Sequence, residues 1–308
     1  MSSHPASDSW QVVDAAGRTG MARHVYDYDV DLRSDTAPAH VIRLTGRNRR
    51  VLEVGAGPGS ITRHLIGENG CDVVAIEIDL TAIERLKTIC PNVYTLDLND
   101  KSWPDELQGE DKFDVVIAAD VLEHTYNPLQ TLMGMKSLLR KGGEIILSLP
   151  HVGHSAVVGC LMNEDFHYRD WGLLDRTHIR FFGIKNIDQL YQDAGLSIID
   201  AHFVVRTPAQ TEFAETWSTL PLNVRKAIET NPFGNVYKVV SKAQPREWAG
   251  RALDLTMLKP QRSANYPLPV AVGDGTVKRV ARRFVQRHAS HGAKERIRSM
   301  VSRLGLKI

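Results

Sequence analysis

The sequence predicts an α/β fold: a doubly wound, mostly parallel seven-stranded sheet with helices on both faces. Three observations predict it. Short Val/Ile-rich runs alternate with helix-periodic runs from Arg50 to about Ala243, which is the order that covers a parallel sheet on both sides. The first apolar run ends in alternating glycines, Gly55, Gly57 and Gly59, and a helical pattern follows at once. Length and composition agree: 308 residues, 43% hydrophobic and 24% charged, suffice for one large or two small domains. They exclude collagen-like, disulfide-scaffold and wholly disordered chains.

The elements follow in order. Strands are expected at Val51–Val54, Asp72–Ile78, Val93–Leu96, Phe113–Ala118 and Glu144–Ser148. Helices are expected between them at Ser60–Gly67, Leu80–Ile89 and Leu129–Leu139. Arg140, Lys141, Gly142 and Gly143 read as a cationic last turn followed by glycine stops. After Pro150 the period is lost, and residues 151–182 are rich in histidine and aromatic side chains. This stretch reads as an insertion after strand 5. A helix at Ile184–Ala194, a long strand at Leu196–Val205, a helix at Thr211–Thr230 and a strand at Asn235–Val240 complete the pattern. The last two strands suit an antiparallel hairpin closing one sheet edge. The domain organisation expected is therefore 1–243 as one domain, 244–276 as a Pro/Gly/Ser-punctuated linker, and 277–308 as a C-terminal basic helical extension.

Net charge is +2, but it is unevenly spread. Val277–Ile308 holds ten Lys/Arg and one acid, a net +9, against 28 basic and 35 acidic side chains elsewhere, a net −7. Val277, Val280, Ala281, Phe284 and Val285 share one helical face, and Ile297, Met300, Val301 and Leu304 another. Such a tail suits an anionic membrane surface, an acidic partner, a second subunit or the chain's own acidic body. Cys71, Cys90 and Cys160 form no CxxC pair, which points to a reducing compartment. The polar start MSSHPASDSW lacks a signal-peptide pattern, and no run reaches the length of a membrane span. A cytoplasmic protein is expected, at most peripheral at the inner membrane surface.

Four strand ends carry the chemistry. Glu53-Val-Gly55-Ala56-Gly57-Pro-Gly59 runs from a buried strand into a loop where glycine allows positive φ and close approach to a ligand. The following helix N-terminus adds free N–H groups. Open α/β sheets bind nucleotides at this place. Glu77, 22 residues after Gly55 and followed by Ile78, is placed to accept hydrogen bonds from both ribose hydroxyls. Asp97 and Leu98 end the third strand, a position from which an acid can face an adenine and an apolar side chain can pack on its ring. Asp120-Val-Leu-Glu123-His124 follows the fourth strand.

These motifs, in this order over roughly residues 25–243, resemble the class I S-adenosylmethionine-dependent methyltransferases. The resemblance implies a Rossmann-like methyltransferase fold. It implies that the Glu53-x-Gly55-x-Gly57-x-Gly59 loop, with Ala56, holds the methionine portion of the cofactor. Glu77 and Ile78 would lie at the ribose, Asp97 and Leu98 at the adenine, and Asp120 to His124 on the floor near the sulfonium. Leu149-Pro-His151-Val-Gly-His154 and Gly172-Leu-Leu-Asp175-Arg176-Thr177-His178-Ile-Arg180-Phe-Phe182 resemble bacterial O-methyltransferases of polysaccharide and glycoside biosynthesis. That likeness implies a sugar hydroxyl, or another small-molecule acceptor, as the methylated group. A small-molecule O- or N-methyltransferase of secondary metabolism is the nearest alternative. A nicotinamide-dependent oxidoreductase and a non-catalytic cofactor-binding scaffold are the alternatives from other classes. With an acidic body lacking basic patches, no nucleic acid partner is expected.

A sugar hydroxyl is a weak nucleophile, so a general base is expected to help. His154, His178 and His124 are the candidates; His178 and His154 are favoured because both sit in the insertion, and His124 is read as a floor residue. Asp175, three residues before His178, is its orienting partner or a ligand for a sugar hydroxyl. Trp171 and Tyr168 suit stacking on an apolar sugar face. Tyr26-Asp-Tyr28-Asp resembles the aromatic-acidic stretch that related enzymes fold over the cofactor. A divalent metal would need clustered ligands. Asp120, Asp175 and Glu123 are available, but their spacing assigns no site.

Overall fold

The computed structural model describes residues 26–260. Seven strands form one sheet: β1 (Arg50–Val54), β2 (Asp72–Glu77), β3 (Asn92–Thr95), β4 (Phe113–Ala119), β5 (Leu139–Pro150), β6 (Leu196–Val205) and β7 (Val236–Pro245). Their order is β3-β2-β1-β4-β5-β7-β6. The β1–β2, β1–β4, β2–β3 and β4–β5 pairs are parallel. β7 runs antiparallel to both β5 and β6. The expected seven-stranded, mostly parallel sheet with a closing hairpin is what forms.

The core explains why both faces must be covered. Leu52, Val54, Val74, Ile76, Val116 and Ala118 join one buried cluster. Val51, Val73, Ala75, Val115 and Ile117 join another. Successive side chains on a strand point to opposite faces, so a continuous apolar run loads both. Helices α2 (Thr62–Gly67), α3 (Leu80–Leu86), α4 (Pro128–Ser137) and α6 (Ile184–Asp193) follow the expected alternation. The sequence reading places no element ahead of Val51, yet α1 (Ala37–Thr45) lies there with Ala39, Val41 and Ile42 buried.

Three local expectations change. Arg140 to Gly143 do not close a helix: α4 ends at Ser137, and Leu139 already pairs with Phe113. The ladder then slips, resuming at Val115↔Glu144. A Cβ on Gly143 would sit 3.0 Å from the carbonyl oxygens of both Arg140 and Phe113, so the glycine serves the bulge. The single helix expected at Thr211–Thr230 is two, α7 (Ala214–Thr219) and α8 (Leu222–Ile228), parted at Pro221. Proline forces the residue before it out of the helical region, and Leu220 is extended. The 151–182 insertion is partly regular, with α5 (Ser155–Met162) inside it.

Within the stretch read as a linker, Leu255 is buried, and Trp248, Leu253 and Leu258 pack on the same core cluster. The basic tail 277–308 lies outside the described residues. No helix among the described residues is long and apolar enough to cross a membrane.

Candidate functional site

A cavity of about 860 Å³ opens at the carboxyl ends of β1, β2 and β4. It has two ends, one on the glycine loop and one under the insertion.

At the first end the three glycines serve different purposes. Gly55 has φ +68, and a Cβ there would meet Val121 Cγ2 at 2.6 Å. Gly57 has φ +55 and open space where a Cβ would point, and it lines the cavity. Gly59 has φ +90, but a Cβ there would strike Ile89 at 2.9 Å and Leu86 at 3.2 Å. Gly59 is not among the lining residues. Its expected cofactor contact is corrected to a packing role: it lets the loop lie on the Leu86–Ile89 side chains.

Glu77 is fixed by backbone. Its Oε2 accepts the Gly57 N–H at 2.7 Å, and its Oε1 accepts those of Ile78 at 2.7 Å and Asp79 at 2.9 Å. A carboxylate has about four acceptor sites, so capacity remains toward the cavity. Glu53 is buried and accepts the Thr62 hydroxyl at 2.7 Å. Burial first, and the charge of Glu77 further, pushes its pKa up to about 8. Ala56, Ile78, Asp97, Leu98, Asp120 and His124 also line the cavity, as the sequence places them.

The N-terminal segment ties the two ends together. Ser60 Oγ accepts the Tyr28 N–H and donates to the Tyr26 carbonyl, at 3.1 and 2.8 Å. The Tyr26 hydroxyl crosses to Asp175 Oδ2 at 2.9 Å. Tyr26 and Tyr28 both line the cavity.

At the second end, Asp120 sits at the tip of β4 with φ +57, a backbone conformation that costs a non-glycine residue about 1–3 kcal/mol. Its carboxylate accepts the Ser148 hydroxyl at 2.7 Å and pairs with the Lys238 ammonium. Burial alone would raise this carboxyl, but Lys238 and Ser148 outweigh it and leave it below its ordinary value. Asp175 accepts Tyr26 and both the hydroxyl and backbone N–H of Thr177. These bonds likewise outweigh its burial and lower its pKa.

His178 is buried at this end, and its Nδ1 lies 3.3 Å from the Leu173 carbonyl. A carbonyl only accepts, so Nδ1 carries the proton and Nε2 keeps a free lone pair. Burial, then the neighbouring His124, lowers its pKa to about 4, so the ring is neutral near pH 7. His124 has the same arrangement, with Nδ1 at 3.1 Å from the Thr177 carbonyl. Glu123 is fully buried, and neither carboxylate oxygen has a hydrogen-bond partner. Burial first and the Asp120 charge second push it well above the usual carboxylate range. The Glu123 carbonyl accepts the N–H groups of Ile179 and Arg180 at 2.9 and 3.0 Å, which pins the insertion to the post-β4 loop.

The other expected base, His154, does not reach the cavity. It is fully buried, caps α5 by accepting the Ala156 N–H at 3.1 Å, and donates through Nε2 to the Arg206 carbonyl at 2.8 Å. Both ring nitrogens are occupied, so its role is structural. Trp171 lines the mouth, whereas Tyr168 does not. Of the three acids considered for a metal, Asp120 and Asp175 already have partners, and only Glu123 is free of them. Sequence reasoning missed Lys238 and Tyr237, both cavity residues. The one available signal was a lysine inside the apolar run Val236-Tyr-Lys-Val-Val.

A family model described as a methyltransferase domain matches residues 26–201. The tRNA U34 carboxymethyltransferase of Shewanella frigidimarina is 33% identical over 132 residues, covering 40% of this chain and 39% of that protein. The enzyme of the same name from Ectopseudomonas mendocina is 34% identical over 127 residues, covering 39% and 38%. The alignments thus span about two fifths of the length of these curated relatives. Among solved structures, a TehB-like S-adenosylmethionine-dependent methyltransferase from Corynebacterium glutamicum has 16% identity and a TM-score of 0.43. It covers 68% of this chain and 87% of that one. The 1,6-didemethyltoxoflavin-N1-methyltransferase of Burkholderia thailandensis, solved with S-adenosylhomocysteine, has 18% identity and a TM-score of 0.43, covering 68% and 76%.

Proposed function

The chain belongs to the methyltransferase-domain family, and from that premise we propose that it methylates a hydroxyl oxygen of an acceptor seated beneath Trp171 and beside His178. It is an S-adenosylmethionine-dependent methyltransferase. The oxidoreductase alternative gives way to that membership.

The residues present fit the cofactor. Gly57 leaves the loop open where any side chain would intrude. Glu77 is held in one orientation with acceptor capacity to spare for a ribose. Glu53 offers a carboxyl on the same floor, suited to a cationic amino group. S-adenosylmethionine supplies an electrophilic methyl on sulfur, so the protein's task is mainly to align a nucleophile with it.

The observation that carries the hydroxyl reading is the direction of His178. Its Nδ1 is committed to the Leu173 carbonyl, so its Nε2 lone pair is the one left to activate an acceptor, in the same cavity as Glu77. Asp175 and the Tyr26 hydroxyl are polar groups for orienting neighbouring hydroxyls, and Trp171 is a flat apolar surface for a sugar ring. These features support a sugar hydroxyl as acceptor.

A second reading rests on the relatives, whose name is tRNA U34 carboxymethyltransferase. On that reading the acceptor is a nucleoside in tRNA, against the expectation of no nucleic acid partner. One experiment separates them. Methyl-labelled S-adenosylmethionine is incubated with the full chain and separate glycan, small-metabolite and tRNA fractions. Label in glycan supports the first reading, and base-stable label in tRNA the second. Label on nitrogen or carbon in any fraction removes the hydroxyl assignment.

A further inference from the structure

Glu123, His124 and His178 converge at the acceptor end of the cavity. One ligand atom from each, a carboxylate oxygen and two ring nitrogens, lies within 4.8 Å of the others. The Nε2 of His178 is 3.9 Å from Glu123 Oε1. The two imidazoles meet edge to face, with centroids 4.8 Å apart.

Two independent features of this group point to a ligand. The first is Glu123, fully buried with both carboxylate oxygens lacking partners. A buried polar group without a hydrogen bond costs about 1–3 kcal/mol, more if charged. Protonation does not remove the problem, because the resulting O–H is then an unpartnered donor. The second is the pair of histidines. Each commits Nδ1–H to a backbone carbonyl, His124 to Thr177 and His178 to Leu173. Metal-binding histidines are oriented in this way, one nitrogen held by a carbonyl and the other left as ligand.

We propose that Glu123, His124 and His178 bind one divalent first-row transition cation at the acceptor end of the cavity. Two imidazoles and one carboxylate suit such an ion. Magnesium and calcium prefer all-oxygen sites. Three protein ligands leave positions for an acceptor hydroxyl, as in catalytic metal sites. Asp120 does not belong to the set, because Lys238 and Ser148 hold it.

The consequence rests on the hydroxyl reading above. The cation lowers the pKa of the bound hydroxyl, whose proton leaves to solvent. The oxygen's electron pair forms the new C–O bond. The C–S bond breaks, and sulfur takes its electrons to become a neutral thioether. His178 then acts through the cation and not as the proton acceptor.

The test uses the full chain without a histidine tag, stripped of metal with a chelator and titrated with Co²⁺ alone. The visible absorption of Co²⁺ reports nitrogen and oxygen ligation, and calorimetry gives the stoichiometry. Binding of S-adenosylhomocysteine is measured in parallel to show that each variant is folded. We expect one Co²⁺ per chain. Glu123→Gln and His124→Asn should each weaken it about 10–100-fold or more while still binding S-adenosylhomocysteine. Asp175→Asn should keep the Co²⁺ spectrum. Absence of saturable Co²⁺ binding in a chain that binds S-adenosylhomocysteine overturns the site, as does equal binding by both ligand variants. Failure of the hydroxyl reading shows elsewhere, as label on nitrogen or carbon with the Co²⁺ spectrum intact.

Discussion

At the cofactor end of the cavity Glu77 is satisfied by three backbone N–H groups, whereas at the acceptor end Glu123 is buried with neither oxygen partnered. The first group must keep one orientation whatever is bound, and the chain itself fixes it. The second has its polar capacity held in reserve. Buried polar atoms are nearly always paired, so an exception inside a cavity marks where the chain expects something from outside. The same contrast separates the histidines. His154 uses both ring nitrogens within the fold, and His178 uses one.

Breaking the acceptor end has the largest expected effect. His178→Ala removes a ligand of the proposed cation and should lower kcat by about 10²-fold or more, with S-adenosylhomocysteine affinity within about twofold of the parent by calorimetry. A comparable loss of affinity would mean that the two ends are not separate. Breaking the cofactor end comes next. Glu77→Ala removes an anchor whose charged hydrogen bonds are each worth about 1.5–3 kcal/mol. The dissociation constant for S-adenosylhomocysteine should rise by about 10–100-fold or more. An unchanged constant would unseat Glu77 from the ribose.

His154→Ala sharpens the comparison of histidines. It should cost about 1–3 kcal/mol of stability in denaturant unfolding and leave kcat near the parent value. A pH signature accompanies it. Burial lowers the folded-state pKa of His154 to about 4 from the usual 6.5. A depressed pKa contributes stability that is full above pH 6.5 and is lost as pH falls toward 4, because only the unfolded chain takes up the proton. The parent's stability should therefore decline faster than the variant's across that window. Parallel curves would show that His154 is not held neutral. The smallest effect concerns Glu53, whose pKa of about 8 leaves it largely protonated near pH 7. A cationic amino group arriving beside it should expel that proton. Calorimetry of S-adenosylmethionine binding in buffers of different ionisation enthalpy should then register release of a fraction of a proton. Uptake would contradict the placement of Glu53.

The cofactor end was readable in the sequence because its signals are local. Gly55, Gly57 and Gly59 stand within five residues, and Glu77 ends the next strand, so spacing alone brings them to one sheet edge. Even so, spacing could not tell that Gly59 packs on Leu86 and Ile89 while Gly57 faces the cavity. The acceptor end was readable only as a list of candidates. His154 and His178 look equivalent in sequence, yet one caps a helix and the other enters the cavity. Lys238, far downstream, gave little sign of itself before β7 was seen to lie beside β5.

The order of apolar runs, the glycine loop and the strand-end acids determined the doubly wound sheet and the cofactor edge. They act through short-range sterics, strand pleating and helix termini, which depend on neighbours a few residues away. Closure of the sheet decided the rest. It joined Tyr26 to Asp175 across 149 residues and Lys238 to Asp120 across 118, and it enclosed Glu123 beside His124 and His178. Which polar groups find partners and which are left without them depends on packing between distant segments, and local spacing carries no record of it.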